Sequence, residues 1–177
     1  GFFTQRSGII GNFIMPILKQ NIQIPFRLLL SHLTPIDQLK IHIKHEDLQK
    51  LDYNRSIAIN RGRMNDDLKS LFVSAQLEDG NTDYDIDLGL TGFLPDHFKS
   101  NKWSMYVKLK DKNNYYGMKK FKLLNPKTRH GINDWLVHEL AKREGLITLR
   151  NKLVEVVING DNKGIYYLEE TFDKILI

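Results

Sequence analysis

Tyr84-Asp85-Ile86-Asp87-Leu88-Gly89-Leu90-Thr91-Gly92 reads as a strand. Tyr84, Ile86, Leu88 and Leu90 alternate with Asp85, Asp87 and Gly89, the period of two that sends successive side chains to opposite faces. Gly92 closes the strand. Lys102-Trp103-Ser104-Met105-Tyr106-Val107-Lys108-Leu109-Lys110 repeats the pattern, with Trp103, Met105, Val107 and Leu109 on one face and Lys102, Ser104, Lys108 and Lys110 on the other. Lys119 to Leu124 follows after a turn, with Phe121 and Leu123 on the apolar side, and Pro126 stops it. Three strands in a row, apolar on one face and lysine-rich on the other, make a sheet the organising element of this chain.

The sheet extends in both directions. Upstream, Leu39-Lys40-Ile41-His42-Ile43-Lys44 alternates as a strand, and Leu71 to Leu77 joins Asp83 to Leu90 as a hairpin through the turn residues Asp79-Gly80-Asn81. Between them, Glu46 to Leu51 reads as a short helix or turn, and Ser56 to Asn60 as a weak strand. His42 lies on the polar face with no third ligand at metal-binding spacing, so it reads as a solvated histidine. Downstream, Leu153 to Ile158 is β-branched and reads as a buried strand. Asn159-Gly160-Asp161-Asn162-Lys163-Gly164 then supplies residues that tolerate positive φ, and Ile165 to Leu168 returns.

Ile132 to Glu144 changes to helical period, with Ile132, Trp135, Leu136 and Leu140 on one stripe, a cap at Asn133 or Asp134, and Gly145 at the end. Glu139 falls inside that stripe. A carboxylate aimed at a core needs a partner. Arg143 one turn on can supply it, or a lysine from the sheet. The chain ends inside an apolar helical pattern begun at Glu169, and it starts at Gly1 rather than Met; both ends read as cuts in a longer protein. The expected fold class is therefore α+β, a mostly antiparallel β-sheet lobe with one or two packed helices.

Composition narrows the function classes. The 177 residues suit one domain with an extension, read as a basic apolar segment over 1–36 and a β-rich domain over 37–177. No cysteine is present, which excludes a disulfide framework and cysteine-based metal sites. The net charge of +5 is uneven: ten basic residues lie between Asp96 and Arg129 against two acids, Asp96 and Asp111. Such asymmetry points to an anionic ligand or to a solvated lysine row. No apolar run reaches the roughly 20 residues that cross a bilayer. Residues 1–34 carry Arg6, Lys19 and Arg27 and no acid, so they read either as a segment at a membrane surface just after an anchor or as an arm covering the domain. Nucleic acid is not an expected partner, because Trp103 alternates toward the core and only Tyr106 adjoins the lysines.

Several of these pieces, in this order, resemble one family. They are Leu90-Thr91-Gly92 with Asp96-His97, Lys102-Trp103-Ser104, Gly117-Met118-Lys119-Lys120-Phe121, Arg143-Glu144-Gly145-Leu146-Ile147, and Asn159-Gly160 with Gly164-Ile165-Tyr166 and Glu169-Glu170. The chain is similar, over about residues 38 to 177, to the CotH (spore coat protein H) kinase-like proteins. The resemblance implies the N-lobe of an atypical protein kinase, transferring phosphate from ATP to Ser or Thr of a coat or envelope protein with Mg or Mn. It implies a bacterial envelope or surface location, with the catalytic and metal-binding residues beyond Ile177 in a C-terminal lobe absent from this chain. It makes Lys102, Lys108, Glu139 and Glu169 the candidate ATP-holding residues. Lys102 or Lys108 would pair with Glu139 and reach phosphate, as a strand lysine and helix glutamate do in protein kinases, and Glu169 would lie at the lobe hinge. The alternative is a non-catalytic structural or binding module of the cell or spore surface.

Overall fold

A computed structural model describes residues 36–110, 114–129 and 133–171. The expected extension over 1–36, all but its last residue, and the expected C-terminal helix beyond residue 171 lie outside the described residues; Glu169 and Glu170, where that helix was to begin, end β7 instead. Seven strands form the sheet: β1 (Gln38–Ile43), β2 (Phe72–Glu78), β3 (Asp83–Leu90), β4 (Met105–Leu109), β5 (Lys120–Leu124), β6 (Asn151–Ile158) and β7 (Asp161–Glu170). Among the described residues three α-helices accompany them: α1 (His45–Arg61), α2 (Asp66–Lys69) and α3 (Asn133–Arg143).

The sheet is a closed barrel in the order β1-β2-β3-β4-β5-β7-β6. This corrects the expected open kinase-type lobe with packed helices. Six of the seven pairings are antiparallel; the seventh, β1 with β6, is parallel and closes the ring. Closure leaves no sheet edge to template aggregation. Side chains hold the seam. The Asn159 amide accepts from the Ile43 N–H at 2.8 Å and donates to the Ile43 carbonyl at 2.9 Å, standing in for a neighbouring strand. Gln38 donates to Glu155 at 2.7 Å further along.

The alternation seen in the sequence becomes the inside and outside of the barrel. Ile41, Leu77, Ile86, Leu88, Val107, Phe121, Leu123, Val156, Tyr166 and Leu168 are completely buried in one core. A filled interior of this kind makes the barrel a core rather than a pore. Glu170 also belongs to the inward row, because it lies opposite Phe121. Arg150 satisfies it with a two-pronged bond, Nη2 to Oε1 at 2.7 Å and Nε to Oε2 at 2.9 Å.

Two local expectations change. The segment Ser56 to Asn60, read as a strand from Ile57 and Ile59, is the second half of α1. Leu48, Leu51 and Ala58 recur at helical spacing and press on the barrel, and that packing outweighs local β propensity. Helix α3 lies within one residue of the expected bounds at each end, but its apolar stripe is not a core face: Leu136 and Leu140 are each about half exposed. The helix touches the outside of the barrel through His138, whose ring is 6.4 Å from that of Tyr167. Among the described residues no helix is long and apolar enough to cross a membrane.

Candidate functional site

Outward-facing residues of β2 to β7 line up in rows across the barrel wall. One row runs Phe72, Gly89, Tyr106, Lys122, Glu169 by strand register. Gly89 leaves room for its shape. A Cβ there would lie 3.0 Å from the Phe72 ring and from the Leu71 carbonyl, a contact tight enough that one of them would have to shift by a few tenths of an ångström. Without it, Phe72 folds over the wall and meets Tyr106 edge-to-face, with centroids 5.9 Å apart at 67°. Lys108, two residues along β4, projects from the same face and sets its ammonium 4.0 Å from the Phe72 centroid. Phe93, in the loop after β3, carries the Lys69 ammonium at 5.5 Å.

The result is a depression of about 600 Å³ bordered by Lys69, Lys108 and Lys122 and by Phe72, Phe93 and Tyr106, with no acid in its lining. Lys69 is balanced by Asp66 at 3.2 Å. Lys108 and Lys122 have no acidic partner among the described residues. Asp87 lies opposite Lys108 in register but is taken by Lys110 at 3.1 Å, whose ammonium also donates to Ser74. Lys122 faces Glu169 across the β5–β7 ladder, and no salt bridge joins them. Two such ammonium groups, one of them over the Phe72 ring, in a depression lined by aromatic side chains suit an anion with a flat ring attached.

The four sequence candidates separate. Lys108 borders the depression, and Glu169 lies next to it, buried at the end of β7 rather than standing in solvent. Lys102 is elsewhere. Its ammonium donates to the Ile165 carbonyl and sits 4.7 Å over the Tyr166 ring, in a separate recess shared with Lys127 and Lys163. Burial, then the charge of Lys127, lower its pKa from the ordinary lysine value. Glu139 pairs with Lys142 of its own helix at 2.7 Å. The expected pairing of Glu139 with Lys102 or Lys108 is not made, nor is the local one with Arg143, because α3 lies on the barrel exterior and a lysine one turn away is in reach. Glu139→Ala therefore lowers stability by no more than a few tenths of a kcal/mol, as measured by urea denaturation. A loss above about 1 kcal/mol would mean the carboxylate holds something larger than Lys142.

Sequence reading missed Phe72, Phe93 and Lys69 as partners of the lysines. The available signal was Phe72 itself, an aromatic on the polar face of an otherwise regular strand. What brings it to Tyr106 is the β2–β3–β4 register across Gly89, which no single-strand period reveals. Among the described residues no group of three or more His, Asp or Glu side chains could hold a metal ion. No protein-family model matches the chain, and no curated protein matches it.

Proposed function

We propose that this barrel holds a nucleoside triphosphate on its outer wall, as the nucleotide-holding portion of a kinase-like protein that phosphorylates Ser or Thr of a coat or envelope protein. The observation that carries the reading is the depression in which Lys108 and Lys122 lack acidic partners among the described residues, beside Phe72, Tyr106 and Phe93. Phosphoryl transfer demands positioning and charge neutralisation more than covalent chemistry from the protein. Lys108 and Lys122 are suited to neutralise phosphate oxygens as point charges, while an aromatic face stacks on the base. The resemblance to CotH proteins makes ATP the nucleotide. The Mg or Mn ion it implies finds no fitting ligand group among the described residues, so these residues contribute through phosphate and ring contacts alone.

One observation also favours a second reading. Phe72 and Phe93 join Tyr106 among the lysines, which is the arrangement that single-stranded nucleic acid uses and that the sequence lacked. Calorimetric titration separates the two. Each ammonium–phosphate contact contributes about 1 kcal/mol, so Lys108→Ala/Lys122→Ala weakens ATP binding about thirtyfold. Tripolyphosphate competes with ATP for the wild type. An oligothymidylate that binds far more tightly than ATP, and is displaced only by salt, supports the nucleic-acid reading instead. Undiminished ATP affinity in the double variant, or no ATP binding by the wild type, ends the nucleotide reading.

A further inference from the structure

A second cavity lies where β1 runs into α1, between that helix and the β6–β7 turn. It measures about 510 Å³ and shares no lining residue with the lysine depression. Helical spacing builds one wall: His45, Leu48, Asp52 and Arg55 recur at intervals of three and four, so α1 presents one stripe to the cavity. Leu48, Trp103 and Ile158 supply the apolar surface. Each packs against the core yet is only partly buried, which leaves it within reach of a ligand. A cavity of this size, with apolar walls and a few placed polar groups, suits a small molecule.

The charged groups sort into occupied cations and open acceptors. Arg55 donates Nε to the Phe98 carbonyl at 2.6 Å, Nη2 to the Lys99 carbonyl at 3.1 Å and Nη1 to Oδ1 of Asp52 at 3.0 Å. Lys163 donates to Oδ2 of Asp161 at 2.5 Å. Both cations are tucked in, with only 21% and 17% of their side chains exposed, whereas the carboxylates of Asp52 and Asp161 face outward at 58% and 64%. Each carboxylate spends one oxygen on its cation. Among the described residues nothing bonds Oδ2 of Asp52 or Oδ1 of Asp161. The other polar lining groups do not reverse this sign. His45 and Gln49 bond each other at 3.0 Å, and the Asn159 amide is occupied with Ile43. Asn101 is exposed and carries an acceptor oxygen as well as a donor.

Two carboxylates and two fixed cations cancel in number, so selection is local: the accessible oxygens are anionic and the cations stand behind them. We infer that this cavity binds a small primary ammonium ion with a flat apolar body. The body lies on Leu48, Trp103 and Ile158, and the ammonium donates to the open carboxylate oxygens at the border. The ion pairs hold those carboxylates in place before a ligand arrives, which lowers the cost of binding. Arg55 also ties this network to the apolar wall, with its guanidinium 5.1 Å from the Trp103 ring. The site stands independently of the nucleotide reading.

2-Phenylethylamine is the probe, at about pH 8, where histidine is ordinarily neutral and the amine still charged. Binding to the full chain labelled with ¹⁵N is followed through the Trp103 indole N–H and the amides of Leu48 and Ile158. The chain has two tryptophans, and Trp135→Phe assigns the Trp103 signal. The expected result is a saturable shift at all three residues. 2-Phenylethanol, the same shape without charge, should bind at least fivefold more weakly, and 3-phenylpropionate at least tenfold. The double variant Asp52→Asn/Asp161→Asn should bring the amine down to the affinity of the alcohol while leaving the alcohol unchanged, since only charge-assisted bonds are lost. Three results overturn the proposal: no saturable shift with the amine, equal or tighter binding of the alcohol or the acid by the wild type, or undiminished amine affinity in the double variant. The comparison of the three compounds on the wild type decides the matter even where the double variant fails to fold.

Discussion

Gly92→Ala lowers the melting temperature by about 10 °C, corresponding to about 4 kcal/mol in a domain of this size. Two effects add. Gly92 has φ of 103°, a conformation that side-chain-bearing residues adopt only under strain. Its missing Cβ would lie 2.2 Å from Cγ of His97, which packs directly on the glycine. His97 cannot give way cheaply. Its Nδ1 is 3.0 Å from the hydroxyl of Ser104, which is completely buried. That hydroxyl also accepts the backbone N–H of Asn125 at 3.0 Å, and the Asn125 amide donates to the Lys102 carbonyl at 3.1 Å. Moving His97 therefore disturbs the loop that leads into β4 and the end of β5 together. A double variant checks the cause. With His97→Gly in place both the ring and the Cβ that would lie 2.4 Å away are gone and the collision vanishes, so adding Gly92→Ala should lower stability by only the backbone strain, about 1 to 2 kcal/mol. Simple additivity of the two variants would show that the collision is not what fixes Gly92.

Arg150→Ala is the second large effect, with an expected loss of about 3 kcal/mol by urea denaturation. The Glu170 carboxylate is nearly inaccessible and sits in the inward row of β7, so removing the guanidinium strands a charge against the core. Arg150 itself is partly exposed, at 44% for its side chain, and that screening keeps the loss at the lower end of the range for buried pairs. The same guanidinium donates Nη1 to the Gly117 carbonyl at 2.7 Å, tying the turn before β5 to the start of β6. Arg150→Lys should recover only part of the stability, because an ammonium cannot make the two-pronged bond. Adding Glu170→Gln to Arg150→Ala should recover some of the loss, since an amide is less costly to bury than a carboxylate. If that second change deepens the loss instead, the buried charge is not the source of the effect.

These two sites explain part of what the sequence motifs mean. Gly92, His97 and Ser104, Asn159, and Glu170 all belong to the pieces that carry the family resemblance. Each is held in a structural bond: packing on His97, the Ser104 hydroxyl, the seam at Ile43, the pair with Arg150. Much of the motif order thus describes how the barrel is built. The strands themselves were legible, since the alternation read in β1, β3, β4 and β5 transfers directly to inside and outside. Closure was not. It depends on β1 meeting β6 in parallel, more than a hundred residues apart in sequence, through register and through the Asn159 side chain. The burial of Glu170 was equally hidden, because only the fold brings Arg150 to it. The lysine depression was half legible: the basic excess between Asp96 and Arg129 was plain, while the arrival of Phe72 over Gly89 needed three strands in register.

The central claim is a location, the outer wall bearing Lys108 and Lys122, and amide shift mapping tests it most directly. ATP is added stepwise to the ¹⁵N-labelled full chain, and the shifted residues are compared with those moved by adenosine and by tripolyphosphate. The predicted result is saturable change centred on Phe72, Thr91, Tyr106, Lys108 and Lys122, with tripolyphosphate moving the lysines and adenosine the aromatic residues. Change centred on Lys102 and Lys127, or on α3 around Glu139, with the outer wall silent, would contradict it.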